Sequence, residues 1–177
     1  MKSLIFIIAI FLGGCASVPM ASLLELRSFS QDDFMRLQAN DIRVKILVDE
    51  PVHAVIERTQ LTLEATTQKG KNTYAYPLLL LNEVAIKPAA GFFNHTSGKT
   101  QYTLKLSDEG IKNVLATQQM IRSDRTAQLK FSINTDFEKL PAEVNEIVLT
   151  VSLRLFEQRG FITLFDNAKL SIKPEAN

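Results

Sequence analysis

Ile147, Leu149, Val151, Leu153 and Leu155 fall on one side of a two-residue repeat, with Val148, Thr150, Ser152 and Arg154 on the other. Successive side chains of a strand point to opposite faces, so this run predicts a strand with one buried face. The pattern recurs along the chain. Ile42, Val44, Ile46 and Val48 alternate with Arg43 and Lys45 until Asp49-Glu50-Pro51 breaks the run. Leu61 and Leu63, then Tyr102, Leu104 and Leu106, then Leu129, Phe131 and Ile133 follow the same rule. Residues 68–72 read as a turn, and Glu157-Gln158-Arg159-Gly160 as a hairpin loop leading into residues 161–165 and on to 170–172. Six to eight strands at this spacing predict a mainly β protein. The expected form is an antiparallel β-sandwich or a partly open barrel, with one or two short packed helices.

One segment departs from the alternation. Tyr76-Pro77-Leu78-Leu79-Leu80-Leu81 is apolar at every position, which predicts a strand covered on both faces. Pro77 has no amide proton for a ladder, so it belongs at the strand's start, at an edge or at a bulge. Two helix starts are legible. Ser30 stands three residues before Asp33 as an approximate capping box, with Phe29 and Phe34 at the positions of a hydrophobic staple. A second helix begins at Ser107, with Asp108 and Glu109 where they complement the helix dipole. Its apolar stripe (Ile111, Val114, Leu115, Gln118, Ile121) predicts a helix lying on a sheet. The doubly apolar stretch at residues 78–81 is its expected seat.

The N-terminus follows a different logic. Lys2 precedes an unbroken apolar run, residues 4–12, and Leu12-Gly13-Gly14-Cys15 then brings the chain's single cysteine. The run suits a secretory h-region of about 7–15 residues and falls short of the ~20 that a spanning helix needs. An ordinary cleaved signal more often ends in an A-x-A-like site and needs no cysteine at the junction. Charge, apolar run, small residues and cysteine in that order resemble the signal peptide and lipobox of bacterial lipoproteins. The resemblance covers residues 1–15 only; no family is recognised for the domain behind it. It implies removal of residues 1–14 and lipidation of Cys15, a residue that would otherwise be an unpaired thiol. Each buried CH₂ of the acyl chains contributes ~0.8 kcal/mol, and several chains on one cysteine give stable anchoring. Ala16, in place of Asp, resembles the sorting pattern of gram-negative lipoproteins destined for the outer membrane, facing the periplasm. The chain then divides into a signal peptide (1–14), a lipidated tether (15–22) and a single β-rich domain (23–177).

Composition narrows the chemistry. The 20 Lys and Arg nearly balance the 19 Asp and Glu, and loss of Lys2 completes the balance, so no nucleic-acid footprint is expected. With Cys15 acylated, no internal disulfide is available, and a core must hold the domain of about 160 residues together. The two histidines, His53 and His95, lie far apart without H-E-x-x-H spacing, so no metal is expected. No nucleophile elbow, P-loop or dinucleotide fingerprint appears, and no cofactor is expected. Asp32-Asp33 and Asp49-Glu50 are explained by capping and turn roles, and Asp166-Asn167 lacks calcium-loop spacing.

The candidate interaction site is the loop at residues 88–99, where Phe92, Phe93, Asn94 and His95 combine adjacent aromatics with polar company. The competing structural role is that Phe92 or Phe93 tucks back to plug one end of the β domain. Size, anchor and β character are similar to those of small outer-membrane lipoproteins of secretion machines, type VI included, though no motif of that family is present. The expected function is a noncatalytic binding or assembly module with an envelope protein partner. The alternative is a carrier of a lipid or other hydrophobic ligand, its mouth lined by Tyr74, Tyr76, Leu78 and Leu80 or gated by the Phe92-Phe93 loop. An envelope hydrolase would need carboxylates converging in a cleft, and none can be named.

Overall fold

A computed structural model describes residues 29–67, 70–88, 97–122 and 126–172. Cys15 and its lipobox, and Phe92, Phe93, Asn94 and His95, lie outside the described residues. Among the described residues seven strands form: β1 (Arg43–Asp49), β2 (Ala54–Thr67), β3 (Gly70–Ile86), β4 (Lys99–Leu106), β5 (Thr126–Phe137), β6 (Glu146–Arg154) and β7 (Ile162–Ser171). They make one antiparallel sheet in the order β5-β2-β3-β4-β1-β6-β7, curled into a half-barrel. Of the two forms expected, this is the partly open barrel.

The two-residue repeat sets the register. Val44 of β1 stands between Leu104 of β4 and Leu153 of β6, and Ile46 stands between Tyr102 and Val151. All six of these side chains are buried, so each rung adds an apolar row to the inner face. A shift of one residue would turn every such row outward, so burial of one face fixes the pairing. On β7, Asp166 and Asn167 together face the single residue Thr150. The Thr150 hydroxyl accepts from the Asn167 amide at 3.0 Å, and Asn167 takes a φ of 44°. This acid–amide pair is therefore a clasped β-bulge.

Among the described residues, two helices lie on the open side. Helix α1 (Gln31–Arg36) is capped as its sequence suggests: Ser30 Oγ accepts from the Asp33 amide at 3.1 Å, and Asp33 Oδ2 accepts from the Ser30 amide at 2.9 Å. Phe34 points into the core with no exposure. Phe29 packs edge-on against Phe131 of β5, ring centres 5.3 Å apart, and against Phe156 beyond β6 at 6.4 Å. The segment before β1 thus spans from one margin of the curled sheet toward the other. Helix α2 (Asp108–Arg122) is capped by the Ser107 hydroxyl, which accepts from the Gly110 amide at 2.9 Å. Gln118, buried, joins the two helical segments by donating to the carbonyls of Phe34 (2.9 Å) and Leu37 (3.1 Å).

Two expectations are corrected. Helix α2 docks on β3, but at residues 75–77: the Ser107 amide donates to Pro77 O at 2.9 Å and Asn113 Nδ2 to Ala75 O at 3.1 Å. Gly110 permits this approach, since a Cβ there would stand 2.5 Å from Pro77 O. Leu115, assigned to the buried stripe, is 50% exposed on the far side of the helix. The second correction concerns residues 79–81, which are not covered on both faces.

Candidate interaction surface

Strand β3 changes partners halfway along. Its first half pairs with β2 from Gly70↔Thr67 to Pro77↔Gln60; its second half pairs with β4 from Leu78↔Leu106 to Ile86↔Lys99. Pro77 sits at the changeover, where the missing amide proton costs the ladder least. Beyond it β2 turns away from β3. Four residues of β2, Ile56 to Thr59, oppose the single Thr135 of β5, and Thr59 Oγ1 holds this irregular stretch through Val55 O (3.0 Å) and Thr135 Oγ1 (2.7 Å). The second half of β3 is consequently an edge, with no pairing partner on its β2 side among the described residues.

That edge is apolar and open. Leu79, Leu80, Leu81, Val84 and Ile86 keep 49, 43, 52, 41 and 41% of their surface exposed. Five such residues within eight positions of one strand are more than the scattered single leucines of an ordinary surface. Opposite register partners give their directions. Leu80 faces buried Leu104 and Ala85 faces buried Thr100, so both point inward; Leu79 and Ile86, opposite Lys105 and Lys99, point outward. Leu81 is the extra residue of a bulge between Leu80 and Asn82.

Polar chemistry at this edge is sparse. Glu83 lies opposite Tyr102. Burial raises the Tyr102 pKa above its ordinary value, and the Glu83 charge adds to the shift. Tyr102 Oη lies 3.3 Å from His53 Nδ1, on an exposed histidine at the start of β2. Among the described residues no three His, Cys, Asp or Glu side chains are grouped to hold a metal ion. Asp49, one of the acids assigned to a turn, accepts from Ser97 Oγ at 2.7 Å and pairs with Lys99 Nζ at 2.7 Å. The Glu50 amide donates to Gly98 O at 2.9 Å. These bonds fix residues 97–99, which follow in sequence the segment that carries Phe92, Phe93, Asn94 and His95.

The residues expected to line a carrier's mouth divide. Tyr76 and Leu78 are in the core, Tyr74 is half-buried and Leu80 is on the open edge. A cleft of about 310 Å³ lies elsewhere, lined by Arg36, Gln38, Asp41, Phe156, Gln158 and Arg159, and is polar for the most part. The exposed edge is a feature that the sequence pattern did not reveal. Its signal was present as four consecutive leucines, but unbroken apolarity also describes a buried strand. Comparison of the chain with protein families, with curated proteins and with solved structures finds no match in any of the three.

Proposed function

We propose that the protein is a lipid-anchored, periplasm-facing, noncatalytic binding and assembly module of the cell envelope. Its docking element is the free edge of β3, residues 78–86. The observation that carries this reading is that one strand joins backbone groups without a ladder partner among the described residues to exposed apolar side chains. An edge strand offers a row of amide and carbonyl groups to an incoming chain, and soluble proteins ordinarily blunt such edges with charge or cover. The anchor rests on residues 1–15 and their resemblance to a lipobox; Ala16 favours the outer membrane as its site. The carrier alternative has less support: Tyr74, Tyr76, Leu78 and Leu80 all face the inner side of the sheet, but Tyr76 and Leu78 are packed into the core there.

The test is a photo-crosslinking residue introduced at Leu81 in the full, lipidated chain in cells, with one at Ser152, on the outer face of β6, as control. A discrete adduct from position 81 and none from 152 is the expected result. No adduct from position 81 overturns the docking reading. In the same cells Cys15→Ala should leave an unprocessed precursor without acyl label; normal labelling would overturn the anchor.

A further inference from the structure

The occupant of this edge follows from a symmetry within it. Read from Pro77 to Pro88, the chain runs Pro, four Leu, Asn82, Glu83, Val84, Ala85, Ile86, Lys87, Pro. Its polarity is nearly the same in reverse about the step between Asn82 and Glu83. Prolines bracket the segment at equal distance, apolar residues 79–81 mirror apolar residues 84–86, and the polar pair occupies the centre. We infer that two copies of the chain pair edge to edge through antiparallel β3 strands, with a two-fold axis at Glu83, the centre of the segment once the extra residue Leu81 is left out of the ladder. This rests on the docking role of the same edge and names its partner.

The bulge at Leu81 makes the match three-dimensional. Residues 79 and 86 are seven apart, and in a regular strand an odd separation puts two side chains on opposite faces. The extra residue cancels that, so Leu79 and Ile86 both point outward while Leu80 and Ala85 both point inward. Antiparallel pairing of two such strands sets Leu79 of one copy beside Ile86 of the other on the outer face, and Leu80 beside Ala85 on the inner face. A two-fold contact of this kind is self-complementary and closed. Each copy has one such edge, and the flanking prolines end the new ladder at both sides. On the axis the two Glu83 side chains stand directly opposite each other on the inner face, and their like charge weakens the pair. One pair of strand edges also buries less than a standard interface of about 1,200–2,000 Å². Anchoring both copies in one membrane plane would raise their effective concentration and offset that deficit.

The experiment uses two differently tagged, lipidated copies co-expressed in cells and oxidised mildly. Leu79→Cys in one copy with Ile86→Cys in the other should form a mixed disulfide at least about ten-fold above either same-position pair. Same-position cysteines would lie six registers apart, roughly 20 Å, and cannot bridge. Equal yields for mixed and same-position pairs, or none for any, overturn the pairing. Glu83→Gln in both copies should raise the mixed yield, whereas Leu81→Ser with Val84→Ser should abolish it while leaving the thermal midpoint unchanged. The photo-adduct from position 81 separates the two failures. An adduct with the mass of two copies supports self-pairing; an adduct with a different protein overturns self-pairing and leaves the docking role standing; no adduct overturns both.

Discussion

The two halves of β3 are both largely exposed, but only the second breaks the usual relation between composition and burial. The first half, Gly-Lys-Asn-Thr-Tyr-Ala-Tyr-Pro, is largely polar, pairs with β2 and has helix α2 seated at its end. The second half, Leu-Leu-Leu-Leu-Asn-Glu-Val-Ala-Ile, is largely apolar and pairs with β4; each half has a strand on one side, but only this one lines its other side with exposed apolar residues. Burial of Leu61, Leu63, Tyr76 and Phe34 supplies the core where the sheet curls. The leucines beyond Pro77 add little to it past Leu78. Hydrophobicity in the second half therefore answers to something other than folding, and an open apolar edge left alone is an aggregation hazard.

The largest test of this contrast sets one substitution in each half against the other. Tyr76 is fully buried, and Tyr76→Ala should cost about 3–5 kcal/mol in denaturant unfolding, as for other large aromatic side chains in cores. Leu79→Ser should change the stability of the monomer by no more than about 0.5 kcal/mol, the usual range for exposed positions. Comparable losses at both sites would break the comparison. Next in size is Gly110→Ala. Alanine is favoured over glycine in a helix by about 1 kcal/mol, but here its Cβ would stand 2.5 Å from Pro77 O, a backbone atom. Overpacking of this kind costs about 1–3 kcal/mol, so a net loss is expected, with faster amide exchange along α2. A net gain would mean that α2 does not rest on β3 so closely.

A subtler test concerns the Tyr76 hydroxyl, which is buried and finds no hydrogen-bond partner among the described residues. Burial holds its pKa above the ordinary tyrosine value. The Thr117 hydroxyl beside it works against that shift, but its own proton goes to Asn113 O at 2.7 Å. Removing an unpaired buried polar group relieves a desolvation penalty. Tyr76→Phe should thus match or exceed the parent in stability, by up to about 1 kcal/mol. A clear loss in the unfolding midpoint would show that the hydroxyl is bonded after all.

What was legible in the sequence, and what was not, divides along the same strand. The runs at residues 42–48 and 147–155 declared themselves because one face is buried and the other is not, and that difference is written in the side chains. Ser30 with Asp33, and Ser107 with Asp108, announced helix starts because capping is local chemistry. Residues 78–81 were misread because periodicity reports the polarity of a strand and not the presence of a neighbour. Pro77 signalled a missing ladder donor but could not reveal that β2 leaves at that point. The cause lies in the irregular stretch Ile56 to Thr59, some twenty residues earlier in the chain. For the same reason the candidate site was placed on Phe92 to His95, while the strand leading into that loop was assigned to the core. Leu115 shows the lesson in a helix: its spacing fits the stripe, but the docking angle on residues 75–77 leaves it outside.

The smallest effect belongs to the covered region's rim, at Asp33. Its carboxylate accepts from the Ser30 amide and hydroxyl and pairs with Arg36 at 2.8 Å. The Ser30 bonds, then Arg36, hold its pKa below the ordinary 3.8. A carboxylate with a lowered folded-state pKa stabilises the fold above its unfolded pKa, and that stability is lost as pH falls through the folded value. Arg36 is largely exposed, so screening keeps the ion pair's share small, and the cap dominates at about 1 kcal/mol or less. Asp33→Asn should therefore lower the unfolding midpoint by a constant amount at neutral pH. The difference from the parent should shrink as pH drops below about 4. The yield of the mixed disulfide between β3 edges should not respond to this substitution. If it fell in step with the cap, the edge and the core would be one cooperative unit, and the division of β3 into a folding half and a docking half would not hold.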